Sequence, residues 1–263
     1  MKPMLATVYD ETRVEYPCLV QPKYDGVRCL CLIGLDGEVH LLSRTGKEYN
    51  VPHLLKWADE HRELLPLDGE IYNHGELTFQ QICSAVKCYS PLTDKLRFVV
   101  YDTPCHTTMR NRWEALKRAF AKNLSGPFYL SSWYIVDSKE QIDWYHDECV
   151  RKGYEGAIIR NLSAPYIEGR SNHLMKYKKF ETNEYEVVDV LEAGGKDAGT
   201  AIFKLKVGEY EFHARPVGTL DVRRAYLRDK ENIIGKMCTV QHQGYSDAGV
   251  PRFPVALAIR DYE

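Results

Sequence analysis

Nothing in this chain reads as a membrane span or a leader. No long apolar run occurs, and Met1-Lys2-Pro3-Met4-Leu5-Ala6 has neither the charged start nor the apolar core of a signal peptide. An intracellular, cytoplasmic protein with no membrane partner is therefore expected. The eight cysteines, at 18, 29, 31, 83, 88, 105, 149 and 238, include no Cys-x-x-Cys pair and no zinc-type histidine spacing. That leaves reduced and mostly structural thiols. An excess of charge of one sign is lacking as well: 35 basic and 37 acidic residues give a net charge of -2. A nucleic-acid surface would have to be a local patch. There is no internal repeat and no low-complexity tract.

What the chain does have, in 263 residues that are 44% hydrophobic, is material for at least one substantial core and, by length, two domains. Strand-like patterning runs through residues 18–42, with apolar runs at 29–33 and 39–42 around the hairpin signal Gly34-Leu35-Asp36-Gly37-Glu38. Residues 53–65 read as a helix after Pro52, 67–72 as a strand, 78–86 as a short helix and 96–101 as a buried strand. Helical spacing recurs over 109–123 and 139–151, followed by strands over 157–160 and 173–180. Beyond about Thr182 the texture changes. Five short strands, at 185–192, 201–207, 209–215, 237–244 and 255–260, separated by glycine-rich turns, predict a small β-barrel. The expected domains are 1–182 and 183–263, with a hinge over 178–184.

Lys23-Tyr24-Asp25-Gly26-Val27-Arg28 is the most informative segment. A free lysine amine is protonated at all but roughly one part in a thousand at neutral pH. A nucleophilic lysine therefore needs neighbours that disfavour the ammonium, such as Arg28, a metal ion or partial desolvation. Gly26 would let the backbone approach a bulky ligand, Asp25 could orient the amine, and the Arg28 fork suits ribose hydroxyls or phosphate oxygens.

Further along, Asp68-Gly69-Glu70 reads as two carboxylates around a turn, and Tyr154-Glu155-Gly156 as a second acidic turn ahead of an apolar strand. Carboxylates so placed can hold a magnesium ion or a ribose hydroxyl. Lys176 and Lys178 alternate along a strand, so both ammonium groups should share a face and could hold a phosphate. Ala193-Gly194-Gly195-Lys196 lacks P-loop spacing and reads as a hairpin turn.

In this order the segments resemble the motifs of the covalent nucleotidyltransferase superfamily: ATP-dependent DNA ligases, RNA ligases and mRNA capping enzymes. The resemblance extends over nearly the whole chain. The Lys23 to Arg28 segment resembles the first motif, whose lysine becomes AMP-linked, and Ser43-Arg44-Thr45-Gly46 the next, which implies that Arg44 meets a nucleic-acid phosphate. Leu67-Asp68-Gly69-Glu70 is similar to the third, implying ribose or metal contact by Glu70. Phe98-Val99-Val100-Tyr101-Asp102 resembles the segment whose aromatic, here Tyr101, stacks on the base. Glu155-Gly156 implies a metal ligand in Glu155, and Leu174-Met175-Lys176-Tyr177-Lys178 implies α-phosphate contacts by Lys176 and Lys178. The stretch from Pro251 to Asp261 resembles the last motif of DNA ligases, implying that Arg252 orients the pyrophosphate and that Arg260 shares that task or contacts DNA. Gln21, two residues before the lysine, stands where the family often has an acidic or other residue facing the adenine.

The resemblance implies an α+β architecture, with an N-terminal nucleotidyltransferase (adenylation) domain of antiparallel sheets flanked by helices and a C-terminal OB-fold β-barrel. It implies a minimal, monomeric ATP-dependent DNA ligase of the phage, viral or bacterial kind. Such an enzyme uses ATP with Mg²⁺ or Mn²⁺ to seal 3′-hydroxyl/5′-phosphate nicks in duplex DNA through lysyl-AMP. An RNA ligase or a GTP-dependent capping enzyme would share the lysine chemistry and stays open, as does an OB protein whose nucleotide pocket is dead.

Overall fold

Alternating burial along the strands sorts the first part of the chain into two five-stranded sheets. The structure is a computed structural model that describes residues 1–121, 126–178, 180–246 and 248–260, and it divides into two units, Met1–Lys178 and Lys179–Glu263. Three parts of the sequence reading lie outside the described residues: the end of the helix expected over 109–123, position 179 of the expected hinge, and Asp261 of the last motif.

The first unit carries β1 (Met4–Val8), β2 (Cys18–Lys23), β3 (Val27–Ile33), β4 (Val39–Ser43), β5 (Leu67–Tyr72), β6 (Arg97–Asp102), β7 (Phe128–Leu130), β8 (Tyr134–Val136), β9 (Gly156–Asn161) and β10 (Gly169–Tyr177). Its helices are α1 (Pro52–Glu60), α2 (Phe79–Ala85), α3 (Met109–Phe120) and α4 (Lys139–Arg151). One sheet runs β1-β10-β9-β2-β8 and the other β4-β3-β5-β6-β7. The pairings are antiparallel except β1 with β10 and β6 with β7. Cys18 and Val20 of β2, Ile159 of β9 and Met175 of β10 pack against Ile142 and Tyr145 of α4. Because strand side chains alternate between faces, this sends Gln21, Lys23, Arg160 and Lys176 to the opposite side. In the second sheet Cys29, Cys31 and Ile71 pack against Leu54 and Trp57 of α1, which leaves Arg28, Asp68 and Glu70 on the other face.

Three sequence readings are corrected here. Asp68-Gly69-Glu70 is the middle of β5, not a turn. Glycine is required because a Cβ at position 69 would lie 2.3 Å from the Val99 carbonyl oxygen and 2.9 Å from the Phe98 ring. Gly26 likewise meets protein rather than ligand, since its Cβ would fall 2.4 Å from the Ile71 carbonyl oxygen. Residues 24–26 step from the first sheet into the second, which places Lys23 and Arg28 in different sheets. The first helix is also shorter than expected. It ends at Glu60 and gives way to a 3-10 turn, Arg62–Leu64.

One hydroxyl ties the sheets together. Tyr166 Oη donates to Asp68 Oδ2 at 2.7 Å and accepts from the Met4 amide at 3.1 Å, while Arg28 Nη2 donates to the Met4 carbonyl at 2.9 Å. Tyr166→Phe keeps the ring but leaves a buried amide and a buried carboxylate short of a partner, and should cost about 1–3 kcal/mol of stability. Urea unfolding measures this directly, and a cost below about 0.5 kcal/mol would show that the tie is dispensable.

The second unit is a closed barrel in the order β11-β12-β13-β15-β14, from β11 (Glu181–Glu192), β12 (Ala201–Val207), β13 (Tyr210–Pro216), β14 (Met237–His242) and β15 (Val255–Arg260). Its core is built on Val187, Phe203, Leu205 and Val240. A helix the sequence reading missed, α5 (Leu220–Arg228), lies between β13 and β14, capped by Thr219, whose side chain accepts from the Val222 amide. Its usual signature is blunted because Arg223 is its one fully buried residue while Leu220 and Val222 are exposed. Among the described residues no helix is long and apolar enough to cross a membrane.

Candidate active site

Lys23 ends β2 on the same face as Gln21, and both line a cleft of about 270 Å³ in the first unit. One sheet contributes Gln21, Lys23, Arg160 and Lys176, and the other contributes Arg28, Glu70 and Tyr101. Lys178, one residue beyond β10, reaches the cleft beside Lys176, while Arg44 and Arg170 add two further cations. Glu155 belongs to the same cluster, because its carboxylate is shared by the Lys23 and Lys178 ammonium groups. Its position is set by the backbone, since the Glu155 amide donates to the Lys23 carbonyl at 2.9 Å.

Arg28 holds Asp68 in a two-pronged pair, Nε to Oδ1 at 2.6 Å and Nη2 to Oδ2 at 2.5 Å. The fork expected to meet a ribose or phosphate is thus occupied, and Arg28 lines the cleft as a paired cation. Tyr101 Oη donates to Glu70 Oε2 at 3.1 Å, and the guanidinium carbons of Arg28 and Arg160 lie 5.0 and 5.4 Å from its ring centroid. The Gln21 amide is nearly enclosed, accepting from Arg160 and donating to the Tyr101 carbonyl. Arg252 and Arg260 belong to the second unit. There Arg260 Nε donates to Thr239 Oγ1 at 2.6 Å and pairs with Glu184 at 3.2 Å.

Sequence reasoning missed Arg160 and Arg170. Arg160 follows an apolar run at the alternating position to Ile158, which is a weak signal, and Arg170 fell outside the expected strand because β10 begins at Gly169.

Burial, joined by the nearby cations Lys23, Arg170 and Arg44, holds the Lys176 ammonium below the usual lysine range. Burial also pushes the Glu70 carboxyl up to about 7, against the pull of Lys23, Arg28 and the Tyr101 hydrogen bond. Between the unfolded value of about 4.3 and the folded value of about 7, the folded chain holds a proton that the unfolded chain releases. Stability should therefore fall as pH rises through that window. Glu70→Gln removes this slope, so the wild type should lose melting temperature relative to the variant between about pH 4 and about pH 7. Parallel curves would sink the assignment.

Among the described residues there is no group of three or more His, Cys, Asp or Glu side chains that could cage a metal ion. Glu155 and Glu70 could supply the one or two carboxylates that a magnesium ion takes when water and phosphate oxygens fill its other positions.

Residues 3–178 match the family model of the ATP dependent DNA ligase domain, and residues 217–260 that of the DNA ligase OB-like domain. The chain belongs to the ATP-dependent DNA ligase family. Its α+β architecture, with a nucleotidyltransferase domain and an OB-like barrel, is the one expected from the motifs. Relatives of this ligase-family chain include the DNA ligase of an African swine fever virus isolate, 27% identical over 267 residues that cover 92% of this chain and 63% of the viral protein. The DNA ligase of Haemophilus influenzae is 26% identical and covers 95% of this chain and 89% of that protein. The chain thus spans about 63% of the length of the viral relatives. A solved Lig E DNA ligase shares the fold at a TM-score of 0.82 with 24% identity, covering 99% of both chains. The Chlorella virus DNA ligase-adenylate, 26% identical, superposes at 0.55 over 100% of this chain and 99% of its own.

Proposed function

We propose that this ligase-family chain seals nicks in duplex DNA, using ATP to activate the 5′-phosphate through an adenylate carried on Lys23. The observation that carries this reading is the arrangement at the cleft, where Lys23 and Lys178 share the Glu155 carboxylate with Glu70 and Tyr101 alongside.

An ammonium has no lone pair, so the Lys23 proton must leave before attack. Neutral Lys23 then forms an N–P bond to the α-phosphorus of ATP while the bond to pyrophosphate breaks. Lys176 and Lys178, which line the cleft, are assigned to the α-phosphate oxygens, and Tyr101 to the adenine ring. In the second transfer an oxygen of the 5′-phosphate takes the AMP and Lys23 leaves. In the third the 3′-hydroxyl forms the phosphodiester and AMP departs. Mg²⁺, when bound at Glu155 and Glu70, would supply charge neutralisation at the triphosphate. Arg44 and Arg170 are the cations offered to DNA phosphates, contacts that position without reading sequence.

A gel assay of nick closure tests the proposal. Closure is expected with ATP and not with NAD, and failure with ATP overturns it. Arg252 is assigned to the leaving pyrophosphate. Arg252→Ala should slow lysyl-AMP formation by about 10²–10³-fold but change sealing of an already adenylated nick by less than about threefold. Equal losses in both assays would remove Arg252 from the leaving-group step.

A further inference from the structure

Arg160 has no part in the lysine chemistry above, yet it is 3% exposed and lines the cleft. Its Nε donates to Gln21 Oε1 at 2.8 Å and its Nη1 to Asp102 Oδ2 at 2.6 Å. Asp102 is wholly buried and also accepts from Arg112 Nε at 2.7 Å and from the Thr103 amide at 2.8 Å. Arg112 is held in turn by the carbonyls of Thr107 and Ala164. A buried carboxylate bonded in this way to two guanidinium groups is fixed in place, because releasing any member leaves a charge unpaired. Gln21 and Arg160 stand on β2 and β9 of one sheet, and Tyr101 and Asp102 on β6 of the other. Arg160 therefore cross-links the two walls. It pairs in register with Leu19, whereas Lys23 pairs with Gly156, which puts this cross-link about 13 Å along the strand from the lysine.

A guanidinium has only donors, so the amide facing it must present oxygen. The orientation of Gln21 follows, with its nitrogen toward the Tyr101 carbonyl at 3.4 Å. Without Arg160, among the described residues only the long 3.4 Å bond to the Tyr101 carbonyl would oppose the amide turning over, which interchanges the donor and acceptor offered at the base end of the cleft.

We propose that Arg160 is the positioning residue that sets nucleobase choice, by fixing the Gln21 amide beside Tyr101. This rests on reading the cleft as a purine nucleotide site. Adenine carries an amine and guanine a carbonyl at position 6, opposite in hydrogen-bonding sense. A fixed amide discriminates between them, and one free to turn over does not.

Labelling of the full chain with ATP and with GTP tests the proposal, in the wild type, R160K, R112K, Q21L and the R160K/Q21L double variant. R160K keeps a positive charge beside Asp102 but cannot bridge Asp102 and Gln21 as the planar fork does. It should lower the ATP-over-GTP preference about tenfold or more, mainly through a raised KM for ATP. R112K shares the same carboxylate but lies outside the cleft lining, and should keep the preference within about twofold. The double variant should discriminate no worse than Q21L alone. An unchanged preference in R160K, an equal loss in R112K, or strict additivity would overturn the proposal. Should R160K fail to fold, Q21L, which leaves the Arg160–Asp102 pair in place, must by itself lower the preference. A wild type that never takes up label would instead overturn the ligase reading.

Discussion

Lys23→Ala should take up no label from ATP carrying its label at the α-phosphate, a loss on the order of 10⁴-fold or more, as expected when the covalent carrier itself is removed. Alanine also strips Glu155 of one of its two cations, so a fall in activity alone would not separate chemistry from folding. Lys23→Arg makes the separation. Arginine can keep a charge on Glu155 but is not deprotonated in proteins and so cannot attack phosphorus. Both variants should still close a nick whose 5′-end already bears AMP, because the lysine is not a carrier in that last step. Label on the denatured alanine variant, or an arginine variant that melts like the wild type yet labels normally, would defeat the assignment.

Glu155→Ala is expected to have the second largest effect. One carboxylate now offsets two ammonium groups at the cleft. Removing it leaves like charges facing each other and withdraws a carboxylate offered to the metal. Two consequences oppose one another: mutual repulsion makes an ammonium easier to deprotonate, which favours attack, whereas loss of placement slows it. Misplacement by about 1 Å can cost about 10²-fold, and an electrostatic contact of this kind is worth about 10²–10³-fold. The net result should be a fall of about 10²–10³-fold in lysyl-AMP formation. Glu155→Gln should fall by a similar factor, since an amide neither offsets two ammonium groups nor binds magnesium well. Labelling rates at saturating ATP decide the matter, and a glutamine variant within about threefold of the wild type would show that the charge is not required.

The residues assigned to the cleft from short runs were legible, and their spatial partners were not. Lys23, Glu70, Tyr101, Glu155, Lys176 and Lys178 could each be picked out because the motif order is linear, and they gather at one cleft because alternate strand positions share a face. The barrel strands were legible for the same reason of short period. Gly69, by contrast, lies between two acids like a turn glycine, and only the position of β6 reveals that it makes room for the Val99 carbonyl. The Arg28 partnership with Asp68 spans 40 positions and that of Arg160 with Gln21 spans 139, separations at which no periodicity acts. The helix α5 was hidden by its composition, its buried face being an arginine.

The parallel pairing of β1 with β10 joins residues near position 4 to residues near position 169. On a ribosome working at about 5–20 residues per second, those partners emerge roughly 10–30 s apart. The sheet of β3 to β7 can close earlier, while the nascent N-terminal strand waits with an unsatisfied edge. Lys23 therefore exists for many seconds before Glu155, whose carboxylate it shares with Lys178, is translated, and completion of the first unit is gated by its last strand.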